Sequence, residues 1–248
     1  MFGHREQDDE PEWAFPVYLV TPVAHGTLPA WWPEAMARSV TASVDLLHTK
    51  PADSESIYLG WLNYGAGLWP ARPLEPLYEP SPPGTAGDMF TSCYRSMFDL
   101  LRSRLLADQA ALAAAGQLSY RPLVVLVVGV PPADTDAWHA SRRRLVLDET
   151  GSQESAPDNV RAILLTVYAG EAVAATAGEM AGPPGVGAAY RVLDPGRTSE
   201  AISRLLVNAA LRLPALAAGE SEQLVLPQEL AGVLWSEGAG TTGLAMSE

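Results

Sequence analysis

The 248-residue sequence predicts an α/β fold: three layers, Rossmann-like, with a mostly parallel central sheet and helices on both faces. Three observations carry this reading. Short runs rich in apolar, β-branched and aromatic residues (FPVYLV, IYLGWLNY, LVVLVVGV and VRAILLTVY) have the pattern of strands buried on both sides. Segments with apolar residues at helical spacing alternate with them. Hydrophobic residues make up 48% of the chain, enough for a sizeable core.

Residues 1–13 are polar and acidic and are expected to be a flexible segment ahead of a domain spanning 14–217. The first strand, Phe15 to Val20, ends at Thr21-Pro22. A loop punctuated by Pro29 and Pro33 leads to a helix from Pro33 or Glu34, striped by Met36, Val40, Val44 and Leu47. Ile57 to Tyr64 forms the second strand. Gly65 to Gly87, with prolines at 70, 73, 76, 80, 82 and 83, predicts a long loop without a core of its own. Met89 to Leu106 predicts a helix with Met97, Leu100, Leu101 and Leu105 on one side, and Asp108 to Ala115 a second one, capped by Gly116.

Arg121-Pro122 opens the most strongly β-like segment of the chain. A helix follows over Asp136 to Arg144, with Asp134 or Thr135 near its N-cap, and then a polar loop over 151–158. Val160 to Tyr168 is the next strand and Glu171 to Met180 a short Ala-rich helix. Gly182 to Gly187 reads as a turn, Ala188 to Leu193 as a strand, and Ser199 to Leu213 as a helix with Ile202, Leu205, Leu206 and Leu213 on one face. Residues 218–248 form an acidic, Gly/Ser/Thr-rich tail with one apolar island, LVLPQELAGVLW, expected to be a short helix that docks either on the domain or on a partner. Ligands of such sheets bind at the strands' carboxyl ends, so function is expected in the loops after Val20, Tyr64, Val128 and Tyr168.

The formal charge of −13 repels phosphate backbones and anionic membranes, which excludes nucleic acid and membrane as expected partners. A single cysteine, Cys93, allows no intrachain disulfide and no cysteine-based zinc cluster. The N-terminus lacks the basic-then-apolar order of a secretory signal, and no apolar run approaches the ~18 residues of a membrane span. A soluble cytoplasmic protein is expected.

The element order and several strings resemble the von Willebrand factor A domain, particularly its short bacterial cytoplasmic members, over Ala14 to Leu216. PVYLVTPVAHG stands where that family has a strand running into Asp-x-Ser-x-Ser, and FTSCYRSMFDLL resembles its Thr-led helix, with Thr91 on the Thr position. YRPLVVLVVGVPPADTDAW resembles the strand that usually ends in Asp-Gly. In the family these Asp, Ser and Thr residues hold a divalent cation, as hard oxygen ligands do. Here Thr21 stands for the first Asp, Val23 and His25 for the two Ser, and Val128, before Gly129, for the later Asp. The resemblance therefore implies the fold with a degenerate metal site and no cofactor.

Thr21, Val23, His25, Asp88, Thr91, Val128 and Gly129 are accordingly expected to form a partner-binding rim at the top of the sheet. Trp31 and Trp32, in the loop after the first strand, are candidate interface anchors, with core packing as the competing role. Trp61 and Trp69 belong to the same aromatic set. His25, His139 and Asp134 lack a metal-ligand spacing. Cys93 with His25 or His139 is a candidate nucleophile pair, set against the usual burial of a free cysteine. Gly182 to Gly187 lacks the Lys-Ser/Thr of a phosphate loop. Arg142-Arg143-Arg144 is a basic cluster whose default place is a solvated helix face.

The resulting expectation is a non-catalytic protein-interaction or scaffold module of a bacterial multi-protein system of the stress or conflict type, binding a protein partner without a metal ion. A divalent-cation-dependent binder with a non-standard ligand set is the first alternative. A small hydrolase or transferase using Cys93 or His25 is the second.

Overall fold

In chain order the elements are β1 (Trp13–Pro22), α1 (Trp32–His48), β2 (Ile57–Tyr64), β3 (Leu68–Pro76), α2 (Tyr94–Ala114), β4 (Leu118–Ser119), β5 (Leu123–Val128), α3 (Trp138–Leu145), β6 (Ile163–Tyr168), α4 (Ala174–Ala181), β7 (Gly187–Val192), α5 (Thr198–Ala210) and β8 (Leu234–Ser236). They come from a computed structural model that describes residues 12–22, 32–49, 56–64, 68–76, 94–129, 131–132, 138–146, 160–182, 187–193, 195–214 and 234–236. The sheet runs β3-β2-β1-β5-β6-β7-β8, with β4 beside the start of β1. The five inner strands are parallel, and β3 and β8 close the two edges antiparallel.

Alternation along each strand divides the core into two layers. Phe15, Val17 and Leu19 of β1 pack on one face with Leu123, Val125 and Val127 of β5 and with Ile202, Leu205 and Leu206 of α5. Tyr18 and Val20 point the other way, against Met97, Phe98 and Leu101 of α2 and Trp138 of α3. The sheet grows in opposite directions from β1, so right-handed crossovers place α1 on one face and α2, α3 and α4 on the other.

Most elements fall where the hydrophobic periodicity places them, and the differences have physical reasons. Val40 and Val44 of the α1 stripe are buried, and so are Ser39 and Ser43 beside them. These hydroxyls bond back to the carbonyls of Ala35 and Ser39, and Ser39 also lies 3.2 Å from the Ser199 carbonyl, so small side chains let α1 and α5 approach. The two helices expected around residues 89–115 are one over its described length. Asp108 does not break it, because its carboxylate accepts from Arg104 one turn back and from Tyr18 on β1, both at 2.9 Å. Leu100, expected on the packed side, is exposed.

The helix ends as the sequence indicates. Gly116 takes φ +83°, its amide bonds to Ala113 O and that of Gln117 to Leu112 O. The proline-rich segment expected to be a core-less loop instead supplies β3. Its prolines suit an edge, because they lack the N–H that an inner strand must donate. The end of the apolar island, expected to be a short helix, is instead a strand: Leu234–Ser236 pairs antiparallel with the open edge of β7.

Candidate functional site

The topology reverses between β1 and β5, the point at which open α/β sheets form a crevice outside their strand ends. Thr21, next to last in β1, lies there, and Val128 ends β5 with Gly129 just after it. Parallel register sets Thr21 against Asn63 of β2. The Thr21 hydroxyl donates to Asn63 Oδ1 at 2.9 Å and accepts the Trp61 indole N–H at 2.8 Å. Thr21 is 1% exposed, so this three-residue bridge is part of the floor of the strand ends. Val128, at the end of β5, is buried on the other face of the sheet with Val20 and Tyr64, and Gly129 is half-exposed.

A second polar tie lies below the other side of the crevice. The Tyr64 hydroxyl, at the end of β2, donates to the Val127 carbonyl of β5 at 2.8 Å. It lies 3.4 Å from the Tyr94 hydroxyl, with the rings 5.7 Å apart. Tyr94 opens α2, so the pair locks the first turn of that helix to two strands. Burial, reinforced by Tyr94, pushes the Tyr64 hydroxyl well above the usual phenol range, against a smaller opposing pull from the Gly129 backbone.

Of the expected rim, then, Thr21, Val128 and Gly129 sit together at the switch point. Val23, His25, Asp88, Thr91 and Trp31 lie outside the described residues, as do Cys93 and Asp134; Trp32 opens α1, and its side chain is likewise outside the description. Trp61, one of the candidate aromatics, is 8% exposed and serves as the donor to Thr21. His139 stacks on Trp138, with centroids 3.9 Å apart. The arginine cluster is not uniformly solvated: Arg142 is buried and its Nε donates to the Met180 carbonyl. Arg143 is exposed, and Arg144 pairs with Asp99 at 2.9 Å.

Asn63, Tyr64 and Tyr94 were not singled out from the sequence. The available signal was Asn63 itself, a polar residue at the end of an otherwise apolar strand.

A divalent ion of the kind the resemblance implies needs charged or free oxygens. Thr21 offers a neutral hydroxyl whose oxygen already accepts the Trp61 indole N–H, and the Val128 side chain offers no ligand atom. At these two positions the residues do not fit such an ion. Among the described residues no group of three or more His, Cys, Asp or Glu is placed to hold a metal.

Among solved structures, proximal thread matrix protein 1 from the mussel byssus matches 82% of this chain with a TM-score of 0.50 and 9% identity. The chain spans about half of that protein, 49% of its length. The VWA domain of SpRpn10 matches over 79% of this chain and 95% of that domain, with 14% identity and a TM-score of 0.45. A von Willebrand factor type A protein from Catenulispora acidiphila matches over 79% of this chain and 43% of its own, with 10% identity and a TM-score of 0.44. No protein-family model matches the sequence, and no curated protein matches it. The chain has the von Willebrand factor A fold, and at these identities the likeness is one of fold.

Proposed function

We propose that this chain is a non-catalytic protein-interaction module that engages a protein partner at the carboxyl end of its sheet without a metal ion. The bonding of Thr21 supports this most: at the switch point a neutral hydroxyl is spent on Asn63 and Trp61, and the end of β5 carries an aliphatic side chain. Such a floor is rigid, uncharged and suited to shape recognition by direct contact. In this reading His25, Asp88 and Thr91 supply polar contacts to the partner. The module works within a bacterial cytoplasmic assembly of the stress or conflict type. No described helix is long and apolar enough to cross a membrane.

The test is affinity purification of the tagged protein from its native host, in Mg²⁺ and in EDTA, with identification of what co-elutes. The expected result is the same specific partner in both buffers, lost when the half-exposed Gly129 is replaced (Gly129→Arg) and retained in Leu100→Arg on the exposed side of α2. A partner held only in Mg²⁺, together with Mg²⁺ affinity tighter than millimolar by calorimetry, overturns the metal-free reading in favour of a cation-dependent binder. Turnover that disappears in Cys93→Ala or His25→Ala overturns the non-catalytic one.

A further inference from the structure

The two edges of the sheet are finished differently. β3 closes one of them with prolines at 70, 73 and 76, which have no N–H to offer a further strand. The other is closed by β8, three residues long against the six of β7, and β7 contains no proline. The pairing is antiparallel, with Leu234 opposite Val192, Trp235 opposite Arg191 and Ser236 opposite Tyr190. Among the described residues, Gly187, Ala188 and Ala189 have a strand partner only on the β6 side. That half of β7 carries no side chain larger than a methyl group, so no bulk of its own keeps a strand from lying alongside.

The chain also reaches this edge over a long connection. After β7, α5 returns along the sheet for about 20 Å. Residues 215–233 then have a contour of about 60 Å at ~3.3 Å per residue. That is about three times the way back to Val192, long enough to meet the edge of a neighbouring molecule as well as its own. The strand makes the same contacts in either molecule, because sequence and register are the same, so concentration decides between them. We propose that β8 is exchangeable: the outer edge of β7 accepts the Leu234–Ser236 segment of a second copy in place of its own, and reciprocal exchange gives a two-fold dimer. Three residue pairs at a sheet edge are a weak hold, which local opening releases without disturbing the core. A second copy is the occupant because it brings the one segment whose register on β7 the structure displays, and the prolines of β3 keep that segment off the opposite edge. The site lies away from the β1–β5 switch point and does not rest on the partner-binding reading.

The test uses the full chain, with an acetylated and amidated peptide of residues 232–239 (GVLWSEGA) as the probe. Sedimentation equilibrium is expected to show a monomer at ~10 μM and a dimer that grows in towards ~1 mM, the scale of a tethered segment's effective concentration. Excess peptide returns the dimer to monomer, because it occupies both edges. Trp235→Pro, which sets a proline in the middle of β8, leaves the chain monomeric throughout. That variant binds labelled peptide about tenfold tighter than the wild type, since the tethered strand no longer competes. Hydrogen exchange in the variant then slows over residues 187–192 when peptide is added. Should Trp235→Pro fail to fold, dissociation of the wild-type dimer by the peptide decides the question. A wild type still monomeric at ~1 mM, a dimer indifferent to the peptide, or a dimer equally present in Trp235→Pro overturns the proposal. Peptide binding of equal strength to the two chains overturns it as well.

Discussion

Replacing a buried hydroxyl that both donates and accepts strands two partners at once, and Thr21 is such a group. Thr21→Val keeps the shape and leaves Trp61 Nε1 and Asn63 Oδ1 buried without their partner. Chemical denaturation is expected to show a loss of about 1–3 kcal/mol with an unchanged m-value. In the Trp61→Phe background the same substitution costs less, since one of the two stranded groups is already gone; equal costs in both backgrounds would show that the indole bond contributes nothing. The sequence identified Thr21 as the residue closing the first strand. Its neutrality was legible there, but its bonds were not, because Asn63 lies 42 positions away and only the parallel register brings the two together.

At the scale of elements, two glycines separate conformational from steric need. Gly116, past the end of α2, has φ +83° with nothing within 4 Å of where a Cβ would stand. Gly116→Ala therefore costs only the left-handed backbone penalty, about 1 kcal/mol. Gly187, the first residue of β7, is different: a Cβ there would meet Leu164 O at 2.2 Å and Ala181 O at 2.5 Å, both backbone atoms. Gly187→Ala must push β7 off β6 or α4, and a loss of about 3 kcal/mol is expected. Thermal melts of the two variants check the ranking, and similar losses would mean that β7 moves freely. The C-cap role of Gly116 was legible, since a glycine after a run of good helix formers marks an end. The tight approach at Gly187 was not, because Leu164 O and Ala181 O belong to other elements. The edge strand β3 was hidden for a related reason: its three prolines read as a loop until β2 is seen to need only one side of it.

Across the whole molecule, buried phenols set an alkaline limit on stability. Burial raises the pKa of Tyr18, Tyr64 and Tyr190, with Asp108 adding to the effect at Tyr18 and Tyr94 at Tyr64. Each group is held neutral in the folded chain and ionises near its ordinary value of 10.0 once unfolded. Their contribution is thus complete below pH 10 and is lost as pH rises from there towards the folded values. A spectrophotometric titration is expected to show these three ionising together with unfolding, in one cooperative step above pH 10. Tyr18→Phe removes a group that must stay neutral and takes one hydrogen bond from Asp108, which keeps that of Arg104, so it lowers stability at pH 7 by about 1 kcal/mol while moving the alkaline transition upward. Independent titration of all tyrosines in the folded state would contradict the burial.

The alternation of apolar strands with amphipathic helices determined the layer architecture and the order of most elements, because hydrophobic periodicity is a local property that burial on both faces of a parallel sheet writes directly into the chain. The resemblance sets Thr21 and Val128, neither of them a carboxylate, against the family's two Asp positions. What only the tertiary structure decided is who meets whom: Thr21 with Asn63 and Trp61, Tyr64 with Val127 and Tyr94, Tyr18 with Asp108, and Arg72 across from Trp61. These pairings depend on strand order, register and bulges. Those follow from how the whole set of apolar faces is buried together, so no stretch of sequence contains them by itself.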